Sequence, residues 1–145
     1  MRRCQLQALE RNATFRFSPE ANDKSGADPQ DNRTTEPFMN ADMARCIETC
    51  LNCYKTCLST AMNHCLEAGG KHTAPAHFRL MMACAEICRT SAHFMLINTP
   101  HHKHTCRECA EICAECAEDC KSIGDMDECV RACEACAESC REMAA

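Results

Sequence analysis

From residue 41 to residue 143 the chain places an apolar or thiol side chain every third or fourth residue and fills the intervals with polar and charged ones. Residues so spaced share one face of an α-helix. The pattern is interrupted at Gly69-Gly70, at Asn98-Thr99-Pro100 and at Gly124, which predicts four helices over about 41–68, 74–98, 101–122 and 126–143. Asn40 is placed to cap the first helix and Gly69-Gly70 to stop it. Thr73 is placed to cap the second, with Pro75 in its first turn. Asp125, with Glu128 three residues later, has the form of a capping box for the fourth. The connections are short, so successive helices are expected to be antiparallel neighbours. The predicted fold is all-α, an up-down-up-down four-helix bundle.

What changes the picture is the identity of the repeated residue. Where a bundle normally carries leucine, this chain carries cysteine. Read on a 3/4 register, the first helix presents Met43, Cys46, Cys50, Cys53, Cys57, Thr60 and His64, with Cys65 one position off the line. The second presents His77, Met81, Cys84, Cys88, Ser91 and Met95. The third presents His102, Cys106, Cys109, Cys113, Cys116, Cys120 and Ile123. The fourth presents Met126, Cys129, Cys133, Cys136, Cys140 and Met143. The expected core is therefore lined with sulfur. Cysteine is much smaller than leucine, so a core filled with it predicts an underpacked axis and an occupant for it.

Residues 1–38 lack this periodicity and are rich in Asn, Asp, Pro, Ser and Thr, so they are expected to be a disordered tail. Six basic and six acidic residues cancel there, which assigns the net charge of −5 to residues 39–145. Cys4 lies in the tail and fits no helix face; Met39 or Met43 is a candidate biological start. An acidic chain without a basic patch is not expected to bind nucleic acid. No apolar run approaches the roughly 20 residues of a membrane span.

Seventeen cysteines invite the reading of a secreted disulfide scaffold. The count is odd, and Arg2-Arg3 is followed by Cys-Gln-Leu-Gln-Ala-Leu-Glu-Arg rather than by an apolar segment, so no export signal is expected. Neighbours within one helix have Cβ atoms about 5–6 Å apart, against about 3.5–4.5 Å for a disulfide. Reduced thiols in a cytoplasm are the expected state, and aligned thiols are metal ligands. Zinc favours separate four-ligand sites, and iron–sulfur clusters favour irregular backbone; a continuous helical stripe suits neither. Thiolate and thioether select Cu(I), and sixteen core cysteines suggest about 8–16 ions per chain, depending on how fully thiolates bridge. The candidate ligands are Cys46, Cys50, Cys53, Cys57, Cys65, Cys84, Cys88, Cys106, Cys109, Cys113, Cys116, Cys120, Cys129, Cys133, Cys136 and Cys140. An iron–sulfur electron carrier and a zinc or cadmium buffer of metallothionein type are the competing readings.

The two ends of the predicted bundle add softer and borderline donors. His64, His72, His77, Met81, Ile123 and Met126 gather at one end; Met39, Met43, His93, Met95, His101, His102, His104 and Met143 gather at the other. Of these, His64, His77, Met81, Met126, Met43 and Met95 are candidate additional ligands or access points. Beside its seam the first helix carries Ile47, Leu51, Tyr54, Leu58, Met62 and Leu66, and the second carries Leu80, Ile87 and Phe94, a candidate homo-oligomer surface. Ala110, Ala117, Ala132 and Ala137 flank the other two seams and allow close approach. Glu108, Glu111, Glu115, Glu118, Glu134 and Glu138 read as a solvated face, and no nucleophile–base pairing or phosphate loop suggests an enzyme.

Seven Cys-x-x-x-Cys pairs, at 46/50, 53/57, 84/88, 109/113, 116/120, 129/133 and 136/140, stand in register on the four helices. On these pairs, residues 40–143 resemble the bacterial copper storage proteins, four-helix bundles filled with cysteine. The resemblance implies many Cu(I) ions along the bundle axis, bound mainly by thiolates, in tetrameric assemblies. It implies a store that limits copper toxicity and supplies cuproenzymes, with a copper chaperone as an expected partner. Some members carry a twin-arginine export signal and others remain in the cytosol; this chain resembles the cytosolic type. It departs from the pattern in its long polar N-terminal segment and in a second helix with only two cysteines, where Met81, Ser91 and Met95 occupy other seam positions.

Overall fold

Asn40 opens the first helix as expected: its Oδ1 accepts a hydrogen bond from the Met43 amide at 2.7 Å, which satisfies one of the amides that a helix start leaves without a partner. The computed structural model describes residues 39–145. The expectations for residues 1–38 and for Cys4 lie outside the described residues.

Helix α1 spans Ala41–Ser59 and continues through a π-helical segment, Thr60–Cys65, into a last turn, Leu66–Ala68. Gly69 (φ 65°) and Gly70 (φ 57°) reverse the chain in a conformation that disfavours any side chain, and a 3₁₀ turn, Gly70–Thr73, leads into α2, Pro75–Leu96. Helix α3 spans His102–Ile123 and α4 spans Asp127–Ala144. Among the described residues there is no strand, and no helix is long and apolar enough to cross a membrane.

Two of the expected caps do not form. Thr73 donates its hydroxyl to the Gly70 carbonyl inside the 3₁₀ turn. Ala74, held extended (ψ 133°) by the proline that follows, takes the cap position of α2 without a side-chain bond. Asp125 adopts a left-handed conformation (φ 58°) directly after Gly124 (φ 86°), so its carboxylate does not cap α4. The connection from α3 has only Gly124, Asp125 and Met126 in which to reverse, and Met126 must be buried at the bundle end (3% exposed). Closing that turn wins over capping.

Sulfur contacts fix the arrangement of the helices. Between α1 and α4 the touching pairs are Cys46–Cys140, Cys53–Cys133 and Cys57–Cys129. Between α2 and α3 they are Cys84–Cys113 and Cys88–Cys109. One number rises as the other falls, so these helices run antiparallel. Ala110, Ala117, Ala132 and Ala137 are buried, as expected of small residues that let helices approach. Ser91 replaces sulfur on the α2 line and donates to the Thr105 carbonyl at 3.1 Å, tying α2 to the first turn of α3. Glu108, Glu111, Glu115, Glu118, Glu134 and Glu138 are exposed, so the charged face is a solvated one.

Candidate metal centre

All sixteen cysteines of the bundle are buried and none forms a disulfide. They lie on the inner faces of the four helices, and all but Cys65 meet as one column. Neighbouring sulfurs stand 3.4–4.0 Å apart, from Cys50–Cys140, Cys57–Cys133 and Cys88–Cys113 at the short end to Cys116–Cys120 at the long end. The expected underpacked axis is therefore absent: the helices close until thiol touches thiol.

Those separations suit a metal ion. Three sulfurs bound at about 2.3 Å around one ion lie about 4.0 Å from each other, and four in a tetrahedron about 3.8 Å, so an ion enters with little movement of the helices. Four sets of four sulfurs and one of three are mutually close: Cys50, Cys109, Cys136 and Cys140; Cys53, Cys57, Cys84 and Cys133; Cys53, Cys88, Cys113 and Cys136; Cys57, Cys116, Cys129 and Cys133; and Cys46, Cys106 and Cys140. The sets overlap. Cys53, Cys57, Cys133, Cys136 and Cys140 each belong to two, so the sulfurs form a chain of sites with shared corners.

Proton affinity varies along the column. The neighbouring Cys113 thiol is the main influence holding the Cys53 and Cys84 thiols below their usual range. Cys88 is pushed up, first by Cys109, and Cys133 is pushed up, first by Cys116, with burial adding to both. At one end Cys106 rises to about 12, because the lowering influence of Cys140 is outweighed by Cys46 and by burial. Burial likewise raises Cys65, with Cys129 and Cys116 adding to the effect. A soft ion binds thiolate, so loading releases these protons.

The non-cysteine candidates separate into three groups. Met81 and Met95 are enclosed in the core (0% and 1% exposed) rather than standing at an access point. Met81 Sδ lies 3.5 Å from Cys120, 3.7 Å from Cys116 and 3.8 Å from Cys129; Met95 Sδ lies 3.9 Å from Cys106. Met43 and Met126 are buried at the ends as plugs. The histidines divide between core and surface. His77 is buried, with Nε2 3.8 Å from Cys65 Sγ. His102 is buried, with its Nδ1 bonded to the Thr99 carbonyl at 2.7 Å. His93, His101 and His104 are exposed.

His64 is a correction. The π turn adds a residue to α1 after Cys57, so Ala61 and Cys65 face inward in place of Thr60 and His64. His64 is exposed and stands edge-to-face with His72, at 5.1 Å between ring centres. His72 is buried, and its Nδ1 has no hydrogen-bond partner; burial first, then His64, depresses its proton affinity. Asp119, which the helical spacing did not single out, pairs with His77 Nδ1 at 2.5 Å across the bundle. No periodicity marks a contact between residues 42 positions apart.

Comparison with known proteins agrees with this geometry. A family model described as copper storage protein matches residues 39–145. A Nitrosospira multiformis protein of known crystal structure is 54% identical, with a TM-score of 0.70 over 71% of this chain and 94% of the other. The Cu(I)-bound copper storage protein BsCsp3 is 37% identical, with a TM-score of 0.66 over 72% of this chain and 99% of its own. The apo form of Csp3 from Bacillus subtilis is 36% identical, with a TM-score of 0.59 over 70% of this chain and 98% of that one. An uncharacterized cysteine-rich protein of Bacillus subtilis, YhjQ, is 39% identical over 75 residues, 52% of this chain and 68% of the relative.

Proposed function

The chain belongs to the copper storage protein family, and from that premise we propose that it stores Cu(I), many ions per chain, on thiolates lining the bundle axis. The observation that carries the reading is the overlap of the four-thiol sets. Shared thiolates let neighbouring ions bridge, which turns the fourteen sulfurs of these sets into a high-capacity column rather than a few isolated sites. The ligands we assign are the sixteen buried cysteines. Met81 and Met95 add thioether contacts to the terminal thiols. The competing iron–sulfur and zinc readings are not favoured, because the thiols lie on regular helix with shared corners rather than in closed, separate sets.

The biological role that fits is sequestration of copper in the cytoplasm, with later supply to cuproenzymes through a copper chaperone, and no catalytic activity. The assembly that fits is a homotetramer. Leu51, Tyr54 and Leu58 on α1 and Leu80 and Ile87 on α2 are only partly covered, and Met62 and Leu66 are 39% and 54% exposed. Light scattering on the purified full chain should give four times the chain mass; a monomer alone overturns the assembly.

The test of function is an anaerobic Cu(I) titration of the fully reduced chain against a calibrated competing chelator. Tight uptake of about 8–16 ions per chain is expected. Uptake of only one or two would overturn the storage reading.

A further inference from the structure

Cys65 reaches the interior only because the end of α1 is wound as a π-helix from Thr60 to Cys65. Such turns are rare in proteins and frequent at functional positions. What this one delivers is a thiol facing an imidazole. Cys65 Sγ lies 3.8 Å from Nε2 of His77, in the first turn of α2. Both residues are buried, at 0% and 3% exposure.

The other ring nitrogen of His77 is held from a third helix. Nδ1 lies 2.5 Å from Asp119 Oδ2 on α3. A carboxylate only accepts, so Nδ1 carries a proton, and in the neutral ring the Nε2 lone pair is turned toward Cys65. A carboxylate behind a histidine in this way fixes the tautomer and the direction of a metal-binding ring. A sulfur and a nitrogen 3.8 Å apart admit an ion at about 2.3 Å from sulfur and about 2.0 Å from nitrogen, with an angle near 120° between them. Cys65 belongs to none of the mutually close sulfur sets of the column.

We propose that Cys65 and His77 form a mixed thiolate–imidazole site for one Cu(I) ion, apart from the thiolate column, with Asp119 as its positioning residue. The inference rests on the reading of the chain as a Cu(I) store. Binding exchanges the Cys65 thiol proton for the ion; that proton leaves to solvent, and the Nδ1 proton of His77 stays with Asp119. The site ends the column with a borderline donor, at the level where α1 turns into α2.

The experiment is nitrogen-15 NMR of the full-length chain, with and without saturating Cu(I), alongside His77→Gln, Asp119→Asn and Asp119→Glu. In the unaltered chain His77 is expected as a single Nδ1-protonated tautomer, with an Nε2 resonance that moves on loading. His77→Gln should hold one ion fewer per chain. Asp119→Asn should populate the other tautomer and weaken the ion held by His77 by about ten- to a hundredfold, and Asp119→Glu should restore the tautomer. An Nε2 resonance unchanged while the chain fills with copper would overturn the proposal and leave the store intact. Failure of the unaltered chain to take up many ions would overturn the storage reading beneath it. The unaltered chain alone decides the main point, so the outcome does not depend on a variant folding.

Discussion

Loading with Cu(I) should raise the melting temperature of this protein by at least about 20 °C. A ligand that binds only the folded chain stabilises it by RT ln(1 + [L]/Kd), about 4.1 kcal/mol for each site at a thousandfold excess over Kd. The set of Cys50, Cys109, Cys136 and Cys140 shares no member with that of Cys57, Cys116, Cys129 and Cys133. Two such independent sites contribute about 8 kcal/mol. At about 4 °C per kcal/mol for a domain of this size, that is about 30 °C. Copper bound by thiols of the unfolded chain takes some of this back, which sets the lower figure. Calorimetry of reduced and copper-loaded protein under anaerobic conditions measures it. An unchanged melting temperature would mean that the unfolded chain binds copper as well as the bundle does, and that the sulfur column is not preorganised.

The second large effect concerns the shared corners. Cys57 and Cys133 each belong to the same two four-thiol sets and touch at 3.4 Å. Replacing both with alanine leaves two sulfurs in each set and removes the shared thiolates through which ions of the two sites would bridge. Cys57→Ala with Cys133→Ala should therefore lose at least two Cu(I) ions per chain. Cys106 belongs only to the three-thiol set at one end, so Cys106→Ala should lose at most one. The cost to the fold is small by comparison, about 1 kcal/mol for each buried sulfur replaced by a shorter side chain. Circular dichroism separates the two effects, because the variants should keep their helix while losing capacity. Equal losses from Cys106 and from the Cys57/Cys133 pair would show that the sites do not share ligands.

The helices and the buried sulfur face were legible in the sequence because a period of three and four residues is the geometry of the helix itself. Cysteine at those positions cannot be mistaken for a surface pattern. The errors fall where local rules compete with the demands of the assembled bundle. His64 lies on the regular register of α1, yet burying an imidazole there would have left Cys65 outside; the π turn resolves the conflict in favour of the thiol. Asp125 and Glu128 have the spacing of a capping box, but the chain spends Asp125 on reversing direction after Gly124. Met81 was legible as part of the α2 line, and its place among three thiols, rather than at an open end, emerges only once α3 and α4 are packed against it. Asp119 was not legible at all, because its partner comes from another helix.

Every one of the close sulfur sets contains a cysteine of α4: Cys129, Cys133, Cys136 or Cys140. Their partners on α1 precede them by 72 to 94 positions in the chain. During synthesis, α1, α2 and α3 leave the ribosome with most of the thiols, yet no set is complete until the final helix follows. The growing polypeptide thus holds no finished set of the column for nearly all of its manufacture. The capacity of the column arises in one step, when the last segment made folds back along the first.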